Sequence, residues 1–180
     1  MKFKETSLDG AYVIEIDKLL DERGFFGRLW CEKEFKFHDL NTNIVQSNVS
    51  LSKKKGTLRG MHFQKSPYQE TKLVRCTKGA VYDVIIDLRP NSPTYKKWFG
   101  VKLTENDHKM IYVPENFAHG FITLEDNSEV YYLVTQFYNK EAEAGLRWND
   151  PTFNIKWPLE VKEISEKDNN HSDFNLKNII

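Results

Sequence analysis

The residues best suited to chemistry gather in the stretch Gly56 to Gln64, where Gly56 and Gly60 frame Arg59, His62 and Gln64. On a strand, positions 60, 62 and 64 point to one face. An imidazole on the wall of a partly dry cavity suits proton abstraction, because imidazoles titrate around neutral pH. The same spacing also fits a histidine that only satisfies a hydrogen bond, and this stretch alone leaves both readings open. A second lone histidine, His119, lies between Pro114 and Gly120. Transition metals take three or more imidazole or carboxylate donors. Two positions after His62, where a second imidazole would complete a His-x-His set, stands Gln64, a poor ligand. The pattern favours a pocket with no metal.

The segment Glu129 to Tyr138 is an aromatic run in which Tyr132, Gln136 and Tyr138 would share a face of one continuous strand. Aromatic stripes at period two usually belong to a core. For a reaction that reprotonates a carbanion, however, a phenol opposite the base is a suitable acid, and a second ring can stack on a nucleobase. Lys72, on a strand with Arg75, is either a solvated lysine or a preorganised cation for an enolate oxygen.

These side chains need a scaffold, and the sequence reads as short strands bounded by turn formers. The expected strands are 11–16, 44–51, 72–78, 80–87, 98–103, 109–113, 118–123 and 129–137. Such spacing predicts an all-β sandwich or barrel, with short helices at 32–38 and 159–168 only. One domain over residues 1–180 is expected, with 169–180 a polar tail that frays or docks on a neighbour. Lys plus Arg and Asp plus Glu both number 26, and no basic run tracks a phosphate backbone, which argues against nucleic-acid binding. No stretch reads as a signal peptide or membrane span, so a cytoplasmic protein without membrane contact is expected. Cys31 and Cys76 fit no metal or redox motif and read as structural thiols.

Several motifs in fixed order resemble the dTDP-4-dehydrorhamnose 3,5-epimerase family over nearly the whole chain. They are Asp21 to Phe26, Gln46 to Asn48, Leu58 to Gln64, Lys72 to Arg75, Asp83 to Arg89, Pro114 to Phe121, Gly145 to Pro151 and Ser165 to Asp168. The resemblance implies a cupin-type jelly-roll β-sandwich that forms a homodimer, with sheet exchanged or extended between subunits. It implies a nucleotide-diphosphate sugar substrate and no cofactor. His62 would be the base, oriented by Asp168, Tyr132 the acid on the other face of the sugar, and Lys72 the cation that steadies the enolate. Arg23, Gln46, Asn48, Arg59, His119, Glu143 and Lys167 fall where the family contacts sugar or diphosphate, and Tyr138 where a ring stacks on the base. A ketone at C4 acidifies the hydrogens at C3 and C5, so removal and return of a proton on opposite faces inverts a centre.

The chain departs from the family pattern at three places. Arg28 stands where a glutamate is usual, Asn116 replaces a glycine, and Gln136-Phe137 replaces an acidic residue followed by an aromatic. These substitutions lead to the expectation of retained chemistry with altered substrate choice. Arg28 then counts as a substrate-binding residue, and the substrate is either the dTDP-linked 4-keto-6-deoxyglucose of the family or a GDP- or CDP-linked hexose or heptose used in capsule or lipopolysaccharide synthesis. Inversion at C3 alone, a 3,4-ketoisomerase and a non-catalytic sugar-nucleotide binder on the same scaffold remain the alternatives.

Overall fold

The computed structural model describes residues 1–176 and builds two facing sheets. One sheet has the order β1 (Lys2–Glu5), β2 (Tyr12–Glu15), β10 (Met110–Val113), β7 (Lys72–Lys78), β12 (Ser128–Val134), β5 (Gln46–Ser52). The other runs β13 (Glu143–Gly145), β6 (Thr57–Gln64), β11 (Phe117–Thr123), β8 (Ala80–Asp87), β9 (Trp98–Thr104), with β14 (Glu163–Ile164) parallel to β6. A separate hairpin, β3 (Lys18–Asp21) and β4 (Gly24–Gly27), stands apart from both sheets. The all-β jelly-roll sandwich expected from the sequence is the architecture observed.

Alternation of side chains along the strands makes three apolar layers. Between the sheets lie Val74 and Cys76 of β7, Val81 and Ile85 of β8, Phe117 and Phe121 of β11, and Val130 of β12. Outside the second sheet, Met61, Phe63, Val84 and Ile86 are covered by Leu146, Phe153, Trp157 and Phe174. Outside the first, Leu73, Met110 and Tyr112 meet Phe35 of α1 (Glu32–Phe37). The Phe35 ring is 1 % exposed, a burial worth about 1.5–3 kcal/mol. Strands β7 and β11 are therefore covered on both faces, and β11 is buried at every position.

Three expectations need correction. The helix predicted over 159–168 is instead strand β14 followed by one turn, α2 (Glu166–Asn169). Ser165 caps that turn by accepting from Asp168 N at 3.0 Å, a local bond that the period-based reading did not weigh. The strand predicted to Phe137 ends at Val134, and a loop follows. Within the described part of the tail, residues 170–176 dock on their own chain. Arg147 Nε donates to Asp173 at 2.6 Å, Phe174 N donates to Asp150, and the Phe174 ring packs behind the second sheet. Residues 177–180 of the expected tail lie outside the described residues.

Candidate active site

Strands β6 and β11 place two imidazoles side by side, since His62 and His119 are direct cross-strand partners. Two residues further along β11, the register has slipped: Phe121 faces Arg59, so three residues of β6 span two of β11. The extra residue is a β-bulge at Gly60, whose φ is +134°. A Cβ there would fall 2.6 Å from Gly120 Cα, so only glycine fits this close approach. Strict alternation would put Arg59 on the face opposite His62; the bulge brings both into one cavity.

That cavity, of about 520 Å³, opens between the two sheets. Arg59, His62, His119 and Phe121 line it from the second sheet, Ser50, Lys72 and Tyr132 from the first, and Ser165, Lys167 and Asp168 close its end. An adjoining cavity of about 230 Å³ shares His62, Lys72 and Tyr132 and adds Gln46, Asn48, Glu70, Tyr138 and Glu143. An imidazole and a phenol thus face a common space from opposite sheets.

Asp168 is 5 % exposed, and its carboxylate meets His62 Nε2 at 2.9 Å while accepting from Gly60 N at 3.1 Å. Burial pushes its pKa upward, but the His62 hydrogen bond and charge and the Gly60 N–H outweigh that, holding it at about 2. With Nε2 committed to a carboxylate, Nδ1 of His62 carries the free lone pair. His119 Nε2 meets Asp83 Oδ2 at 2.8 Å, and Asp83 is fully buried. Lys72, 9 % exposed, pairs with Glu70 at 3.1 Å. Burial raises the Tyr132 phenol above its ordinary range, with Glu70 adding to the rise, so Tyr132 is protonated and able to donate at neutral pH.

Around the mouth, Tyr138 Oη donates to Glu143 at 2.9 Å, and Glu143 also pairs with Lys167 at 2.5 Å. Tyr138 comes from the loop after β12 rather than from the strand itself. Gln64 holds that loop, since its amide donates to Phe137 O at 3.2 Å and accepts from Asn139 N at 2.7 Å. Gln46 Oε1 accepts from Tyr138 N at 2.8 Å.

Two expected site residues do not join the others. Arg23 sits on the hairpin with its side chain 90 % exposed and paired to Asp21 at 2.7 Å, and Arg28 lies 3.7 Å from Glu34 beside α1. Neither lines the cavity of its own chain. Conversely, the structure adds Glu70, Asp83, Ser165 and His171, which the sequence reading passed over. Of these, Asp83 had a signal: it is an acid in an otherwise apolar run, Ala80 to Ile86. Such an acid needs a buried partner.

The profile of one protein family, described as dTDP-4-dehydrorhamnose 3,5-epimerase, matches residues 5–175. A protein of that name from Methanothermobacter thermautotrophicus is 45 % identical over 172 residues, 94 % of this chain and 92 % of that protein. The crystal structure of the Elizabethkingia anophelis protein of the same name superposes with a TM-score of 0.94 at 41 % identity, covering 97 % of this chain and 96 % of the other. That of the Bacillus anthracis protein, with TDP and PPi bound, superposes with a TM-score of 0.92 at 40 % identity, covering 96 % of this chain and 99 % of the other.

Proposed function

The chain belongs to the dTDP-4-dehydrorhamnose 3,5-epimerase family, and on that premise we propose that it inverts C3 and C5 of a dTDP-linked 4-keto-6-deoxyhexose. The observation that carries the reading is the pairing of a carboxylate-bound imidazole, His62, with a protonated phenol, Tyr132, across one cavity between the sheets. His62 removes the proton next to the ketone through Nδ1, and the buried Asp168 carboxylate stabilises the imidazolium that forms. Lys72 offers its ammonium to the enolate oxygen as charge develops there. Tyr132 returns a proton from the opposite face, so the centre inverts. Arg59 suits the diphosphate because a guanidinium fork binds paired oxygens. Tyr138 and Glu143 shape the mouth on the nucleotide side, and no cofactor enters the sequence of steps.

A dTDP hexose is favoured over the GDP, CDP or heptose substrates that the sequence departures pointed to. Asn116 and Gln136, which helped to carry that expectation, line neither cavity, and the Bacillus anthracis relative at 40 % identity holds TDP. The product would feed surface-polysaccharide synthesis in the cytoplasm; among the described residues, no helix is long and apolar enough to cross a membrane.

A homodimer completes the site in this reading. The hairpin exposes Leu19, Leu20, Phe25 and Phe26, and the edge strand β5 exposes Val49 and Leu51. Both features suit a second copy: one supplies apolar area, the other an unpaired strand edge. Such a hairpin could carry Arg23 to the partner's cavity.

The test is incubation with dTDP-4-keto-6-deoxyglucose in heavy water, with deuterium read at C3 and C5 by NMR. Exchange at both positions is expected, and His62→Asn should abolish it while dTDP still binds. Absence of exchange in the unaltered protein defeats the reading, and exchange at C3 alone narrows it to a 3-epimerase.

A further inference from the structure

One imidazole beside the site has no part in the proposed reaction. His171 follows Asp168 by three residues, and its ring stands edge-on to that of His62, with centroids 5.9 Å apart. Its Nε2 is buried and has no hydrogen-bond partner. That nitrogen lies 3.9 Å from Asp168 Oδ1, the same oxygen that His62 Nε2 approaches to 2.9 Å. The ring occupies a seat that Gly145 leaves open, because a Cβ at that position would fall 2.3 Å from His171 Nε2. One donor atom each from His62, Asp168 and His171 thus lie within 4.8 Å of one another.

We infer that His62, Asp168 and His171 form a binding site for a divalent transition-metal ion, with Zn²⁺ the best match, and that the ion inhibits the enzyme by occupying its base. Two imidazoles and one carboxylate are the donor set that Zn²⁺ and its neighbours in the series accept, whereas Mg²⁺ and Ca²⁺ require mostly oxygen. Zinc bonds of about 2.0–2.2 Å set tetrahedral donors roughly 3.3 Å apart. The separations of 2.9 and 3.9 Å bracket that value, and with all three donor atoms within 4.8 Å of one another, closing the two imidazoles takes a ring shift of at most about 1.5 Å. His62 and Asp168 line the cavity, so the fourth coordination position faces the space where water or a sugar oxygen would sit. The nearby Lys167 ammonium is already paired with Glu143, which reduces its opposition to a cation. Binding gives the orphaned His171 nitrogen the partner it lacks in the free protein. Coordination through His62 Nε2 replaces the bond to Asp168 and leaves the ring proton on Nδ1, which removes the lone pair the reaction needs.

The binding half stands on geometry alone, while the inhibitory half rests on the epimerase reading. Tag-free, chelator-treated full-length protein is titrated with ZnCl₂ by calorimetry and with CoCl₂ by visible absorption. One ion per chain is expected, with the intense visible bands of low-coordinate Co²⁺. Affinity should fall at least about tenfold in His171→Asn and in His171→Gln, each checked for folding by metal-free thermal melting, and stay unchanged in His108→Asn. No stoichiometric binding to the unaltered protein, or equal affinity in both His171 variants, overturns the site. Zinc should also stop deuterium exchange, with recovery on adding EDTA; bound zinc with undiminished exchange overturns the inhibitory half. A metal-free protein with no exchange at all refutes the epimerase reading and leaves the binding titration standing.

Discussion

Asp168→Asn isolates the contribution of one carboxylate to the proton-transfer step. The side chain is 5 % exposed and accepts from His62 Nε2 at 2.9 Å and Gly60 N at 3.1 Å on separate oxygens, so an isosteric amide keeps the shape, loses the charge and turns one of the two acceptors into a donor. As His62 takes a proton in the proposed reaction, the carboxylate comes to face a developing imidazolium. A hydrogen bond to a charged group is worth about 1.5–3 kcal/mol net. At 1.36 kcal/mol per factor of ten, its loss lowers kcat by roughly 10- to 150-fold. The KM should stay within about threefold, because Asp168 is set to act on His62 rather than to hold the nucleotide. The assay follows deuterium wash-in at C3 and C5 under saturating substrate, with dTDP affinity measured separately by calorimetry. A kcat within threefold of the unaltered enzyme refutes the orienting role. A loss of dTDP affinity as large as the loss of kcat refutes it differently, by showing that the pocket end itself collapsed.

Tyr132→Phe removes the acid and leaves the base, so solvent deuterium should still enter slowly while net inversion, read by NMR of the product, falls by about 10²- to 10⁴-fold; equal product formation would exclude Tyr132 as the acid. Gly60→Ala forces a Cβ to within 2.6 Å of Gly120 Cα at a φ of +134°, and a loss of about 2 kcal/mol or more in denaturant unfolding is expected, with activity falling along with the bulge. Burial raises the Cys76 thiol to about 11. A thiol raised on folding favours the protonated native state, so its contribution is intact below the unfolded value near 9 and is lost as pH rises towards 11. Alkaline unfolding curves of the unaltered protein should show that slope, of order 2 kcal/mol, and Cys76→Val should flatten it.

The strands were legible where one physical rule governed them. The run Ala80 to Asp87 is buried over nearly its whole length, so β-branched composition and bounding turns located it. The site was legible by residue type more than by geometry. His62, Lys72, Tyr132 and Asp168 do converge on one cavity, yet strict alternation would not bring Arg59 there with His62, because a one-residue bulge is invisible to it. Period-two reasoning also ran β12 to Phe137, where Gln64 side-chain bonds hold a loop instead. Asp168 reaches His62 only because β14 adds to β6 in parallel, with Glu163 opposite Thr57 and Ile164 opposite Leu58. Two residues of strand carry too little periodicity to be seen. His171 was hidden in what reads as a polar tail, where its spacing from Asp168 was the only signal.

The balance of charge inside the cavity explains why the arginines outside it matter. A nucleoside diphosphate brings two or more negative charges, and the cations lining the cavity of one chain are Arg59, Lys72 and Lys167. Lys72 is already paired with Glu70 and Lys167 with Glu143. Among the described residues the partners of Arg59 are neutral, Ser52 Oγ at 3.0 Å and Leu51 O at 3.1 Å, so of these three it alone offers an uncompensated charge there. One guanidinium, itself exposed, leaves the charge of a diphosphate undercompensated. Arg23 lies at the turn of a hairpin whose apolar residues gain nothing by facing water, and its own partner, Asp21, is an exposed surface pair worth little. In the proposed dimer, burial of that hairpin on a second copy and delivery of Arg23 to its diphosphate are one event, so assembly and substrate affinity are coupled.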